Sequence, residues 1–172
     1  MPRAAGPDIQ IRTIASSDKN WIRKVVCERW GSEIVVSRNR IHLPHNLSGF
    51  ICERKHSPLG LITYEIVERS CEIVTLDSFE ENRGIGTALI ESMIEKAKTE
   101  ACRRLWLVTT NDNIRAIRFY QKRGFVLAGL LKDTIARARL LKPEIPMRGY
   151  EGIPIRDEIE FEIMLKRNDA NI

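Results

Sequence analysis

The sequence predicts an α/β fold in which a mixed, mostly antiparallel sheet is flanked by helices. Its 172 residues have the length of one domain. The composition, with 43% hydrophobic and 30% charged residues, is that of an ordinary globular protein. The helical segment 85–97 leads into the continuous apolar run 105–108, which is typical of a strand buried on both faces and therefore of a parallel crossover. We expect one domain over residues 1–172, with its core at about 9–165.

Seven segments have the alternation or the β-branched composition of strands. Alternation is clearest in the last of them, where acidic residues separate Ile159, Phe161 and Ile163. A turn at His56 to Pro58 predicts that the strands on either side of it form a hairpin. The predicted strands are 9–12, 49–53, 59–67, 71–77, 105–108, 125–131 and 159–165.

Three segments have the period of amphipathic helices. The first carries Trp21 and Trp30 on its apolar stripe, and we expect both side chains in the core. Gly31 and Gly124 stand where left-handed C-terminal caps belong, so they are expected to end the first and third helices. The predicted helices are 17–30, 85–97 and 113–123.

Two segments, 30–46 and 132–158, are predicted to be mostly irregular, and the first is expected to contain short extended pieces at 34–36 and 41–43. We call them the acceptor segments for the role considered below. The second holds about 25 residues with several Pro and Gly, which is long for a loop without structure and is typical of functional or mobile connections. His42 and His45 in the first have a spacing compatible with a metal, but we expect both to face solvent.

Composition excludes several classes of protein. The four cysteines form no C-x-x-C pair and are expected to be reduced and to fill the core, which excludes a disulfide scaffold and a zinc ribbon. No apolar run approaches the ~20 residues of a transmembrane helix. The start of the chain lacks the apolar core of a signal peptide, so we expect a cytoplasmic protein without membrane partners. The cysteines are Cys27, Cys52, Cys71 and Cys102.

The net charge of +5 is distributed unevenly. Residues 103–142 include ten basic and two acidic residues, whereas residues 65–81 include six acidic residues and one basic residue. The acidic strip argues against binding to long polyanions, so a nucleic-acid partner is not expected. An RNA- or ribosome-associated protein that uses the basic stretch nevertheless remains an alternative.

A glycine pair, Gly84 and Gly86, lies between a predicted strand and the clearest helix. The free N–H groups and the dipole of a helix start can bind anionic oxygens, and glycine lets the backbone approach closely. Leu89 stands where a dinucleotide fingerprint needs glycine, and no G-K-[ST] follows for a nucleoside triphosphate. The pair alone fits either a plain turn or a site for an anion other than NAD or ATP.

Residues 83–90, RGIGTALI, resemble motif A of the GNAT superfamily of acetyl-CoA-dependent N-acetyltransferases. About thirty residues later, N-x-x-A-x-x-x-Y-x-x-x-G-F from Asn113 is similar to motif B of that superfamily. The resemblance covers about 9–165 and implies a sheet that is splayed at its centre. One departure is Glu81, where the superfamily usually has Gln or Arg.

The resemblance implies acetyl-CoA as co-substrate and no metal. The backbone of the strand before motif A is implied to pair with the pantetheine arm, motif A to hold the phosphates, and motif B to complete the site. The implied cofactor-binding residues are Leu76, Asp77, Ser78, Arg83, Gly84, Ile85, Gly86, Thr87, Ala88, Asn113, Ala116 and Tyr120.

Two residues are implied to be catalytic. Tyr120 matches the tyrosine near the cofactor sulfur, where a phenol can protonate the departing thiolate. Glu72 occupies the strand position at which the histone-acetylating branch carries its base, and flanking hydrophobic residues would make its carboxylate a better proton acceptor. Val108 stands where the N-terminal-acetylating branch has its glutamate, so that branch's mechanism does not carry over.

The function implied is acetyl transfer to a primary amine by direct attack in a ternary complex. The acceptor segments are expected to select the amine, which the sequence does not identify: a small molecule, a peptide N-terminus or a lysine all fit. A catalytically silent acyl-CoA-binding or sensor domain is a further alternative, which Glu81 favours slightly. Related domains are often dimers, which makes a homodimer an open expectation.

Overall fold

The computed structural model describes residues 9–165, which form nine strands and four α-helices. The strands are β1 (Gln10–Thr13), β2 (Val35–Ser37), β3 (Arg40–His42), β4 (Ser48–Arg54), β5 (Ser57–Val67), β6 (Ser70–Ser78), β7 (Arg104–Thr110), β8 (Val126–Leu131) and β9 (Glu158–Met164). The helices are α1 (Lys19–Trp30), α2 (Ile85–Thr99), α3 (Ile114–Gln121) and α4 (Thr134–Leu141). The start of the chain, where no signal peptide was expected, lies outside the described residues.

All seven predicted strands belong to one sheet with the order β1-β4-β5-β6-β7-β9-β8, and β2 pairs with β3 separately. The pairs β1–β4, β4–β5, β5–β6 and β8–β9 are antiparallel. This confirms the predicted fold class, a mostly antiparallel sheet with flanking helices. The splay at its centre stays a prediction. Within residues 9–165, no helix is long and apolar enough to cross a membrane.

The described chain divides into two compact units. The first contains 9–19, 46–105 and 164–165, and the second contains 20–45 and 106–163. The prediction of a single domain over 1–172 therefore stays a prediction.

The first unit places α2 very close to strand β5 at Gly60. A Cβ at Gly60 would lie 2.6 Å from Ile85 Cγ2, 3.1 Å from Leu89 Cδ1 and 2.8 Å from the carbonyl oxygen of Asp77. No side chain fits there without a shift of helix or strand. Ile85 and Leu89 are fully buried, so the glycine fixes the position of the first turns of α2 on the sheet.

The second unit has an aromatic cluster at the end of α3. The Tyr120 ring lies 5.4 Å from the Phe125 ring and 6.2 Å from the Phe161 ring, centroid to centroid. Both phenylalanines are fully buried.

A two-residue turn joins β2 to β3, and Arg38 and Asn39 adopt its positive φ angles of 48° and 60°.

Helix α4 corrects the prediction that 132–158 is irregular. Ile135 and Ala138 are its buried residues, whereas Leu140 is 83% exposed. The apolar pattern of this short helix therefore does not match its burial, which explains why periodicity missed it. Strands β2 and β3 fall on the two short extended pieces predicted within the first acceptor segment, which confirms that part of the prediction.

Several predicted side-chain positions are also wrong. Trp30 is 36% exposed because it is the last residue of α1, beyond the buried turns of the helix, while Trp21 is half-buried. His42 and His45 are only 4% and 5% exposed, so they do not face solvent. Cys27 is exposed on α1, although the other three cysteines are buried as predicted. The glycine caps are confirmed, with φ of 84° at Gly31 and 86° at Gly124.

Candidate active site

Helix α2 begins at Gly84, which adopts the left-handed conformation with φ of 78° and ψ of 0°. Glycine adopts this conformation without the steric cost that other residues meet. Because Gly84 at the N-cap position has no side chain, it cannot accept a hydrogen bond from the N–H groups of the first turn as a capping Ser, Thr, Asp or Asn would. Because such groups carry the positive end of the helix dipole, the start of α2 suits an anionic ligand.

The turn before α2 is fixed by hydrogen bonds within the first unit. Ser78 Oγ donates to the carbonyl oxygen of Glu80 at 2.9 Å, and the N–H of Phe79 donates to the carbonyl oxygen of Leu59 at 2.8 Å. Glu81 and Arg83 are exposed. The negative charge of Glu81 is thus on the surface, where water screens it.

Strand β6 carries two buried carboxyl groups, Glu72 and Asp77. Glu72 is 3% exposed and lies directly opposite Glu65 in the β5–β6 register. Burial raises the pKa of the neighbouring Cys71 thiol to about 12, and the charge of Glu72 contributes to this increase. Leu76 and Ser78 are half-buried further along the same strand. Glu72 is therefore buried beside a second carboxyl group, since oxygens of Glu65 and Glu72 lie within 4.8 Å of each other. Its role as a base stays a prediction.

Helix α3 holds the predicted residues of the second unit. The side chain of Asn113 caps the helix, since its Oδ1 accepts from the N–H of Ala116 at 3.1 Å. Tyr120 is buried on the same helix, within the aromatic cluster. The predicted cap is confirmed, and the ring of Tyr120 is held by packing.

The two acceptor segments meet in the second unit. Lys142 Nζ donates to the carbonyl oxygen of Ile34 at 2.8 Å, and burial lowers the pKa of this lysine. The backbone N–H of Arg38 donates to Glu158 Oε1 at 3.1 Å, and Arg38 Nη1 lies 3.2 Å from Glu160 Oε2. The structure thus brings together two segments that are about 100 residues apart in the sequence.

Asn111 ties the second acceptor segment to the residues that precede α3. Its Nδ2 donates to the carbonyl oxygen of Pro154 at 2.9 Å, while its Oδ1 accepts from the N–H groups of Arg156 and Asp157 at 2.9 and 3.0 Å. A side chain that binds three backbone groups acts as a clamp.

Asp112 continues this attachment. Asp112 Oδ2 accepts from the N–H of Tyr150 at 3.1 Å. A Cβ at Gly149 would overlap the Asp112 carboxyl group, so only glycine allows this approach. Sequence reasoning missed Asn111, Asp112 and Glu158, although the polar run after a buried strand was a usable signal for the first two.

Comparison with known proteins agrees with these observations. Residues 13–125 match the profile of the acetyltransferase (GNAT) family. The protein YdhI of Bacillus subtilis, described as uncharacterized, is 44% identical over 144 residues, which cover 83% of this chain and 90% of that protein. The chain therefore belongs to the GNAT acetyltransferase family.

Solved structures share the fold at low sequence identity. An IAA acetyltransferase from Bacillus cereus superimposes with a TM-score of 0.70 at 20% identity, covering 91% of this chain and 99% of that one. A Bacillus subtilis acetyltransferase in complex with CoA gives 0.66 at 18% identity, covering 92% and 98%. An Elizabethkingia anophelis GNAT acetyltransferase with acetyl-CoA bound gives 0.65 at 19% identity, covering 92% and 99%.

Proposed function

We propose that this protein transfers the acetyl group of acetyl-CoA to a primary amine by direct attack in a ternary complex. The observation that carries the proposal is the start of α2, a glycine turn without a side-chain cap in a member of the GNAT family. The presence of CoA or acetyl-CoA in structures of the same fold supports this co-substrate.

The cofactor would be held by backbone groups more than by side chains. The N–H groups of 84–87 and the exposed Arg83 would bind the pyrophosphate, because they combine helix dipole and cation. The N–H of Ala88 already donates to the carbonyl oxygen of Gly84 at 2.9 Å. The backbone of Leu76, Asp77 and Ser78 would pair with the pantetheine arm as an added strand does. Asn113 would add a bond from its amide, whose oxygen already caps α3.

The reaction needs one proton acceptor and one proton donor. The amine nitrogen attacks the thioester carbonyl carbon, a C–N bond forms, and the C–S bond breaks to release a thiolate. Glu72 would accept the proton that the amine loses, and the Tyr120 hydroxyl would protonate the thiolate. The products are the N-acetylated amine and CoA as its free thiol.

Two measurements test the proposal. Calorimetric titration with acetyl-CoA should show saturable binding, and an amine panel should then show release of free thiol that depends on the amine. Binding without release on any amine would indicate the catalytically silent alternative. Absence of acetyl-CoA binding, with a salt-dependent shift of RNA, would indicate the nucleic-acid alternative.

A further inference from the structure

Strands β5 and β6 of the first unit carry buried polar side chains on one face. The register pairs Glu65 with Glu72 and Thr63 with Thr75. Cross-strand partners share a face, and so do Thr63 and Glu65, which are two residues apart on β5. Gly60, which α2 approaches closely, is an odd number of positions from both, so these side chains lie on the face opposite to α2.

The two carboxyl groups on this face differ in their access to solvent. Oxygens of Glu65 and Glu72 lie within 4.8 Å of each other. Glu72 is 3% exposed, whereas Glu65 is half-buried. Two positions further along β5, Val67 is 51% exposed, so the strand reaches the surface just beyond Glu65. Glu65 is therefore the carboxyl group of the pair that water reaches.

The other neighbours of Glu72 on this face give no such access. Thr63 and Thr75 are 0% and 1% exposed, and their hydroxyl oxygens are 2.7 Å apart. One hydroxyl donates to the other, so the two side chains hydrogen-bond each other in the interior. Within β5 and β6, a proton on Glu72 therefore reaches water most directly through Glu65.

A buried base needs such a route, because it must lose its proton after every turnover. In the proposed reaction the amine gives a proton to Glu72 in each cycle, and Glu72 can act again only as a carboxylate. A carboxylic acid and a carboxylate exchange a proton readily, since donor and acceptor are the same chemical group. A side-chain rotation or one bridging water closes a gap of up to 4.8 Å between the oxygens.

We propose that Glu65 carries the proton of the amine from Glu72 to solvent. This inference rests on the proposed function, because it adds a second step to the base role of Glu72. The proton moves from the amine nitrogen to a Glu72 oxygen, then to a Glu65 oxygen, and then to water or a dissolved buffer base. Both carboxylates are regenerated, and no electrons are gained or lost. Glu65 acts through Glu72 and does not touch the acceptor.

The test removes the Glu65 carboxyl group and then supplies one from solution. Glu65→Gln keeps the shape of the side chain, and Glu65→Ala leaves room for a small molecule. The matched control is Glu91→Gln, an exposed glutamate on α2. Thiol release with the amine on which the parent protein is fastest gives kcat and KM for each variant. Formate and formamide are then added to Glu65→Ala, since they have similar size but only formate accepts a proton at neutral pH.

We expect the kcat of Glu65→Gln to fall by roughly tenfold with an unchanged KM for the amine, because proton release slows while binding is kept. Glu91→Gln should match the parent protein. Formate should restore most of the kcat of Glu65→Ala, and formamide should not. Glu65→Asp, which keeps the carboxylate on a shorter side chain, should retain more activity than the Gln variant and serves if that variant fails to fold.

Other outcomes overturn the inference alone or together with the proposed function. Equal rescue by formate and formamide, or no rescue by either, would assign Glu65 a structural role. An unchanged kcat in Glu65→Gln beside a loss in Glu72→Gln would keep the base and reject Glu65 as its outlet. Absence of thiol release by the parent protein on every amine would overturn the proposed function and this inference with it.

Discussion

Helices α2 and α3, one in each unit, begin in opposite ways. In the first unit, α2 starts at Gly84 with no side-chain cap, whereas in the second unit Asn113 caps α3 with its own side chain. A helix that caps itself has used part of its binding capacity, while an uncapped one keeps it for a ligand. The comparison indicates that the start of α2 can still bind an anion, whereas one N–H at the start of α3 is already satisfied by Asn113.

The two units also differ in the side chains that they contribute. Strand β6 carries the buried carboxyl groups of Glu72 and Asp77, while α3 carries a tyrosine packed against phenylalanines. In the proposed reaction, the proton acceptor Glu72 therefore belongs to the first unit and the proton donor Tyr120 to the second. Four substitutions test this division.

Glu72→Gln removes the proposed base and keeps the shape of the side chain, and with Tyr120→Phe it should produce the largest of the expected effects. We expect the plateau of kcat/KM to fall roughly 100-fold. The matched control is Glu91→Gln, an exposed glutamate on α2, which should retain activity. An acidic limb that follows the supplied amine and ignores Glu72→Gln would leave Glu72 a structural residue.

Tyr120→Phe should lower kcat by about 100-fold, the low end of general acid catalysis, because a thiolate leaves tolerably well unaided. The melting temperature should change little, since the ring contacts to Phe125 and Phe161 remain. Tyr64→Phe, another buried tyrosine, is the control. Full activity in Tyr120→Phe would assign this residue to packing alone.

Gly86→Asp should weaken acetyl-CoA binding at least tenfold, about 1.4 kcal/mol, because it puts negative charge in the first turn of α2. Gly86→Ala adds a methyl group without charge and separates volume from electrostatics. Calorimetry measures both variants, and circular dichroism confirms that they fold. Equal losses in the two variants would show that space, rather than the anion, decides affinity.

Asn113→Ala should have the smallest effect, a loss of about 1 kcal/mol in the free energy of unfolding, since it deletes the cap of α3. Asn113→Asp keeps an acceptor for the Ala116 N–H but lacks the amide donor proposed for the cofactor. We therefore expect urea unfolding to spare the Asp variant and acetyl-CoA titration to reveal its defect. Unchanged stability in the Ala variant would contradict the capping role.

Sequence pattern predicted all seven strands of the sheet, including β8, whose residues are almost all exposed. The same reasoning missed α4, where Ile135 and Ala138 are buried but Leu140 is exposed. It also misplaced His42 and His45, because the burial of a polar side chain depends on segments that are distant in sequence. A local sequence pattern contains no information on such contacts.

The candidate site likewise contains residues that a local sequence pattern predicts and residues that it does not. Gly84 and Asn113 were predictable, since a left-handed turn and a helix cap each need a particular residue type. Glu158 was not predictable, because its partner Arg38 is 120 residues away. The roles of Glu72 and Tyr120, a cytoplasmic location and a homodimer stay predictions.

The acceptor segments are tied to each other independently of anything that they select. Lys142 reaches Ile34 across 108 residues, and its buried amine has that carbonyl oxygen as acceptor. A change that displaces Ile34 therefore strands a polar group in the interior. We therefore expect a chimaera that replaces Lys142 or shifts the backbone at Ile34 to lose stability, and one that exchanges both segments together to keep it.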